Sequence, residues 1–96
     1  MPKQYCIYIL ASKKNGTLYI GSTSDLANRI SQHKNSADPN SFTSKYNIKT
    51  LVYFEECPDA ETMVNRERNL KQWNRNWKLR LINQTNPEWR DLSLEL

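Results

Sequence analysis

Between Tyr5 and Ala11 every position is apolar, with Tyr5, Ile7, Ile9 and Ala11 on one alternating face and Cys6, Tyr8 and Leu10 on the other. A run covered on both faces is the pattern of an inner strand. Lys13-Lys14-Asn15-Gly16 follows. Asn-Gly tolerates the positive φ of a tight hairpin, so Thr17-Leu18-Tyr19-Ile20-Gly21 is predicted to return antiparallel to the first strand. Ser22-Thr23-Ser24-Asp25 then offers capping side chains, and Leu26 and Ile30, with Ala27 beside them, set a helical stripe running to about Lys34.

From Asn35 to Tyr46 the chain is polar and contains Asp38-Pro39-Asn40, which predicts a long loop with at most one helical turn. Leu51 to Glu55 reads as a third strand. Cys57-Pro58-Asp59 ends it and caps a helix predicted from Ala60 to Trp73. Trp77, Leu81 and Ile82 mark a shorter helix, closed by Asn86-Pro87 before a tail with Trp89. The order β-β-α-β-α-α predicts an α/β fold, a three-stranded antiparallel sheet flanked by helices. No internal repeat or low-complexity segment interrupts it.

At 96 residues, with 38% hydrophobic positions and two glycines, the composition is that of one ordinary globular domain over residues 1–96. Charge changes the picture more. The net charge is +4, and the stretch from Asn65 to Arg80 holds six cations against the single anion Glu67, a local +5 that accounts for the whole excess. Such a face suits a phosphate backbone, a solvated helix being the plain alternative. Cys6 and Cys57 lie in apolar runs rather than at paired spacings, which indicates neither a disulfide framework nor a zinc site and predicts buried free thiols. No apolar run is long enough for a signal peptide or membrane span, so a soluble cytoplasmic protein without membrane contact is expected.

In the helix predicted from Ala60, the apolar stripe runs Ala60, Met63, Val64 and Leu70, and the position that should fill its gap is Glu67. Burying an unpaired carboxylate costs several kcal/mol, so an inward Glu is paired, protonated, metal-bound or lining a cleft. A salt bridge to a nearby arginine is the simplest of these. Arg29 and His33 are four residues apart and share one helix face, so they point toward one spot unless both are surface residues. Tyr8 and Tyr19, on paired strands, are by themselves ordinary core aromatics. Trp73 and Trp77, interleaved with Arg75 and Lys78, are read as core in preference to a base-stacking platform.

Taken together, Cys6-Ile7-Tyr8 and Leu18-Tyr19-Ile20-Gly21, followed by Arg29, His33, Glu67 and Asn86, resemble the GIY-YIG nuclease superfamily in order and spacing. The resemblance runs from Tyr5 to about Leu92. It is similar above all to the small stand-alone bacterial members with a URI-type endonuclease-like domain, echoed in Gly21-Ser22-Thr23-Ser24-Asp25-Leu26, Phe42-Thr43-Ser44-Lys45-Tyr46, Arg66-Glu67 and Asn86-Pro87-Glu88-Trp89. One departure stands out: Cys6 replaces the glycine of the family's first motif. Glycine brings no chemical group, so the substitution bears on how closely the strand backbone approaches a neighbour. Gly21 is in place, where a side chain would obstruct the cleft.

The resemblance implies a metal-dependent endonuclease that hydrolyses phosphodiester bonds in DNA, directed by structure more than sequence, in repair or recombination. Glu67 would anchor one Mg²⁺ (or Mn²⁺), whose tendency to keep its water shell suits so sparse a site. Tyr8 would act as or assist the general base, though a phenol with a pKa near 10 needs help from His33 and the metal. Arg29 would clamp the scissile phosphate, Tyr19 would bond the phosphate or the water, and Asn86 would hold the C-terminal segment or simply stop a helix. Lys45, Tyr46, Arg66, Lys71 and Arg75 are the candidates for nucleic-acid contact. Single-stranded, branched or flap DNA is the expected partner, with RNA still open and a partner protein able to supply specificity. The competing reading is a non-catalytic nucleic-acid-binding module.

Overall fold

The computed structural model describes residues 4–35 and 40–96, so Asp38-Pro39 of the expected loop lies outside the described residues. Strand β1 spans Tyr5–Ala11, β2 Leu18–Thr23 and β3 Thr50–Cys57. Helix α1 spans Leu26–Lys34, α2 Phe42–Lys45, α3 Ala60–Gln72 and α4 Arg75–Thr85, and a 3₁₀ turn covers Leu92–Glu95. The sheet is antiparallel, with order β2-β1-β3.

The doubly apolar β1 is the central strand, buried at six of its seven residues. Its two faces support separate cores. Ile7, Ile9 and Ala11 pack with Ile20, Val52, Leu70, Ile82 and Trp89 beneath α3 and α4. Cys6, Tyr8 and Leu10 pack with Leu26, Ile30, Ile48 and Leu51 beneath α1. The β1–β2 turn forms where Asn-Gly predicts it, with Asn15 at φ 59°. An irregularity in the β1–β3 register between Ile9 and Leu10 leaves Val52 extra on β3.

Helix ends follow the capping residues. Asp25 accepts from the Asn28 amide, Asp59 from Thr62 and Asn74 from Trp77. Asn74 takes extended φ/ψ, which ends one helix path and starts the next, so α3 and α4 are separate helices.

Three expectations are corrected. The inward stripe of α3 is narrower than the sequence implies, because Ala60 is exposed and Val64 is 46% exposed; Met63 and Leu70 make the contact with the core. Trp77 is not core but 51% exposed, since α4 turns Leu79, Leu81 and Ile82 inward instead. Strand β2 continues past Gly21 to Thr23, so only Asp25 caps α1. Cys6 and Cys57 are free thiols, Cys6 buried and Cys57 half-buried. Burial, together with the nearby Glu56, pushes the Cys6 thiol up and keeps it unreactive.

Candidate active site

Tyr8 sits at the middle of β1, opposite Gly21 of β2 in the register. That pairing explains the glycine. A Cβ at position 21 would lie 2.5 Å from the Tyr8 hydroxyl oxygen and 3.0 Å from the Tyr19 ring, so any side chain there would displace the phenol. The Cys6 side chain, by contrast, finds room in the core two residues before Tyr8.

Four expected residues converge on this spot. The Tyr8 hydroxyl lies 3.0 Å from His33 Nε2, and Arg29 Nε donates to it at 3.5 Å. The Tyr19 ring stands 6.3 Å from Tyr8 and 5.5 Å from His33 between centroids. Helical spacing delivers Arg29 and His33 from one face of α1. On its far side the His33 ring meets the buried Thr43 hydroxyl, 3.0 Å from Nδ1, and Thr43 in turn lies 3.4 Å from Ser41 Oγ.

Charge assigns the protons. Burial pushes the Tyr8 phenol up to about 12 and, with the Tyr19 and Glu67 charges, outweighs the lowering by Arg29, so Tyr8 is a neutral donor at pH 7. Burial, and then the Arg29 charge, lowers His33 from its ordinary value, so the imidazole is neutral as well. Arg29 already donates to the Tyr8 oxygen, so the phenolic proton points to His33 Nε2 and the imidazole proton sits on Nδ1, donated to Thr43. The Tyr8 hydrogen bond raises Arg29, which stays charged.

Glu67 approaches from the other side of the sheet. Its helix α3 packs over β2, where Ser22 Oγ donates to one carboxylate oxygen and Lys71 Nζ to the other at 2.6 Å. Burial works against its charge, but those two hydrogen bonds prevail and hold the carboxyl below its ordinary value. Its ion-pair partner is therefore a lysine one turn on, not the arginine that the sequence favours. The Glu67 charge is felt at Tyr8. Among the described residues no three His, Cys, Asp or Glu side chains gather at one point. A divalent ion here would therefore have Glu67 as its protein ligand, the rest of its shell being water and phosphate. A half-buried, ionised carboxylate is a hard oxygen donor that fits Mg²⁺ or Mn²⁺.

Asn86 stands apart from this cluster. It caps α4 and is buried, with its amide donating to the Val52 and Arg90 carbonyls and its oxygen accepting from the Arg90 amide. It ties the C-terminal segment to β3. Of the residues expected to contact nucleic acid, Lys45 and Tyr46 are exposed beside Phe42, whose ring is 4.8 Å from Tyr46 and 6.4 Å from Tyr19. The other three have internal partners. Arg66 bonds Glu55 through Nε at 3.0 Å and Nη2 at 3.2 Å, Lys71 pairs with Glu67, and Arg75 donates to the Asn15 and Gly16 carbonyls.

Ser22 and Thr43 are the site residues that pattern reasoning overlooks. Ser22, within the Gly21–Leu26 segment that echoes the family, reads from sequence only as a capping side chain, whereas β2 extends through it and pairs it with Ile7. Thr43, within the Phe42–Tyr46 segment that echoes the family, carries no role of its own in the sequence pattern; its bond to His33 is a tertiary contact from α2 to α1.

Similarity to known proteins agrees with this fold. The chain is 37% identical over 81 residues to the UPF0213 protein in the VLF1-GP41 intergenic region of Autographa californica nuclear polyhedrosis virus, covering 83% of this chain and 77% of that one. It is 37% identical over 76 residues to the UPF0213 protein CPE1444 of Clostridium perfringens, with 79% and 80% covered. The solution NMR structure of the UPF0213 protein BH0048 from Bacillus halodurans superposes with a TM-score of 0.57, at 25% identity, over 92% of each chain. The model of the GIY-YIG catalytic domain matches residues 4–80, which span β1 through most of α4 and hold Tyr8, Tyr19, Arg29, His33 and Glu67, and the chain belongs to that family of nuclease domains.

Proposed function

We propose that this protein is a metal-dependent endonuclease that hydrolyses phosphodiester bonds in DNA, acting on single-stranded, branched or flap structures more than on sequence, in DNA repair or recombination. The observation that carries the reading is the Tyr8 hydroxyl held between neutral His33 and charged Arg29. A phenol with a pKa of about 12 is too weak a base alone. Placed against His33 it becomes a relay: its oxygen takes a proton from the attacking water as its own proton passes to Nε2. Nδ1 keeps its proton on Thr43 throughout. Arg29 meets the negative charge that builds on the phosphorane oxygens, and Tyr19 bonds the phosphate or the water. Glu67 would hold Mg²⁺ or Mn²⁺, which when bound would supply counter-charge and stabilise the leaving oxygen.

In this reading Asn86 is a positioning residue, and Lys45 and Tyr46 contact the strand beside the Tyr8 cluster, with Arg66, Lys71 and Arg75 as secondary contacts. A cytoplasmic location and a partner protein that supplies specificity belong to the same reading; among the described residues no helix is long and apolar enough to cross a membrane.

The test is a cleavage panel of flaps, forks, junctions, single strands and RNA with Mg²⁺ or Mn²⁺. Wild-type protein nicks DNA, and Glu67→Ala abolishes cutting while circular dichroism stays unchanged. Equal cleavage by the two proteins would mark the activity as a contaminant and end the proposal. Salt-sensitive binding without turnover under either metal would point instead to the non-catalytic binding module.

A further inference from the structure

Helix α4 presents a second surface that the catalytic cluster leaves unused, on the side of the sheet away from Tyr8. Trp77, Arg80, Leu81 and Gln84 recur at helical spacing along α4 and, with Trp73 at the end of α3, line an open depression of about 190 Å³. Trp73 is half-buried against the Ile7 core, and the Arg66 guanidinium lies over its ring at 5.3 Å. Trp77 stands edge-on to it at 86°, with centroids 5.9 Å apart, and belongs to neither core cluster. An indole half in water, steadied by a partner ring, is an unfilled stacking face.

The surroundings are cationic. Arg80 and Lys78 have no ion-pair partner among the described residues. Lys78 also faces a cleft of about 470 Å³ between α4 and the β1–β2 turn, where Arg75 bonds the Asn15 and Gly16 carbonyls and so fixes α4 against the hairpin. The turn is one end of β2; Ser22, which holds Glu67, is near the other. At about 3.3 Å per residue, this edge strand separates the two by roughly 20 Å, a span of a few nucleotides.

We propose that Trp77, with Arg80 and Gln84, is a nucleotide anchor for the strand on which the Tyr8 cluster and Glu67 act: one unpaired base stacks on the Trp77 indole, Arg80 pairs with its phosphate, and Gln84 bonds the base edge. The cations would serve an acidic peptide equally, so the exposed flat indole beside them is what selects nucleic acid, whose bases can stack on it. The proposal rests on the chain acting on nucleic acid, and its test does not depend on cleavage.

Intrinsic tryptophan fluorescence reads the contact, since Trp89 is buried and Trp73 half-covered. Titration in EDTA with an oligothymidylate of about 20 nucleotides, longer than one binding site, quenches wild-type emission. Trp77→Leu removes most of that quench and weakens binding, measured by fluorescence anisotropy of labelled oligonucleotide, by about 5- to 150-fold, the range of one lost base stack. Trp77→Phe restores most of the affinity, and Arg80→Gln lowers the salt dependence by about one phosphate contact. Affinity also steps up once the oligonucleotide is long enough to reach α4. Unchanged binding in Trp77→Leu, absence of quench in wild type, or equal quench by oligoglutamate would each overturn the anchor. Quench without cleavage would leave the anchor standing and remove the nuclease reading; cleavage with Trp77→Leu binding unchanged would do the reverse.

Discussion

The two faces of strand β1 differ in what they are made to do. The Ile7 face meets almost only hydrocarbon, from Ile9 and Val52 to Leu70 and Ile82. The Tyr8 face packs just as closely, yet it buries a phenol bonded to an imidazole and a guanidinium. One face holds the sheet together. The other shares a core with polar groups that are satisfied by one another, which fixes their orientation without costing the fold an unpaired buried atom; among the described residues none is found.

That contrast is breakable. The largest effect expected is on turnover: Tyr8→Phe keeps the ring and its packing but removes the relay oxygen, and kcat falls about 10²- to 10⁴-fold while the midpoint of urea unfolding moves little. Leu70→Ala does the opposite. It opens a cavity in the apolar face and costs about 2–5 kcal/mol of stability by urea titration, with kcat per folded molecule retained. Comparable stability losses in both variants would dissolve the division between the faces.

The smallest effect is set by pH. The proposed relay needs neutral His33, whose titration is lowered from 6.5 in the folded protein, so turnover is expected to fall about tenfold per unit once pH drops below that lowered value. Stability carries the same sign. The unfolded chain binds the proton more tightly, so the His33 contribution is complete above about 6.5 and is lost as pH falls from there toward the folded value. A pH–rate profile with no acid limb would separate His33 from the relay.

Much of this fold was legible because local chemistry and burial agree. Asn15-Gly16 turned the hairpin, Asp25 and Asp59 started helices, and the doubly apolar run became the central strand. That Tyr8, Tyr19, Arg29 and His33 gather at one spot was legible through the resemblance, and the i, i+4 spacing of Arg29 and His33 independently predicted one face. Periodicity failed where two helices compete for one sheet. It assigned Val64 and Trp77 to the core, but α3 and α4 each offer only a narrow stripe to the Ile7 face, and these side chains fall outside it. Ser22 and Thr43 escaped notice because a hydroxyl's partner depends on tertiary approach, with separations of 45 residues to Glu67 and 10 to His33.

Those two separations also bear on the order in which the site assembles. The His33–Thr43 bond closes a short stretch of chain, whereas Ser22–Glu67 must close one several times longer, at an added entropic cost of about 1.3 kcal/mol for a flexible chain. The imidazole is thus oriented by its own neighbourhood, and the carboxylate arrives with the docking of α3. Partial opening of α3 would withdraw Glu67 and leave the Tyr8–His33 pair intact, a half-built site visible by hydrogen exchange as amides of α3 that open at lower free energy than those of β1.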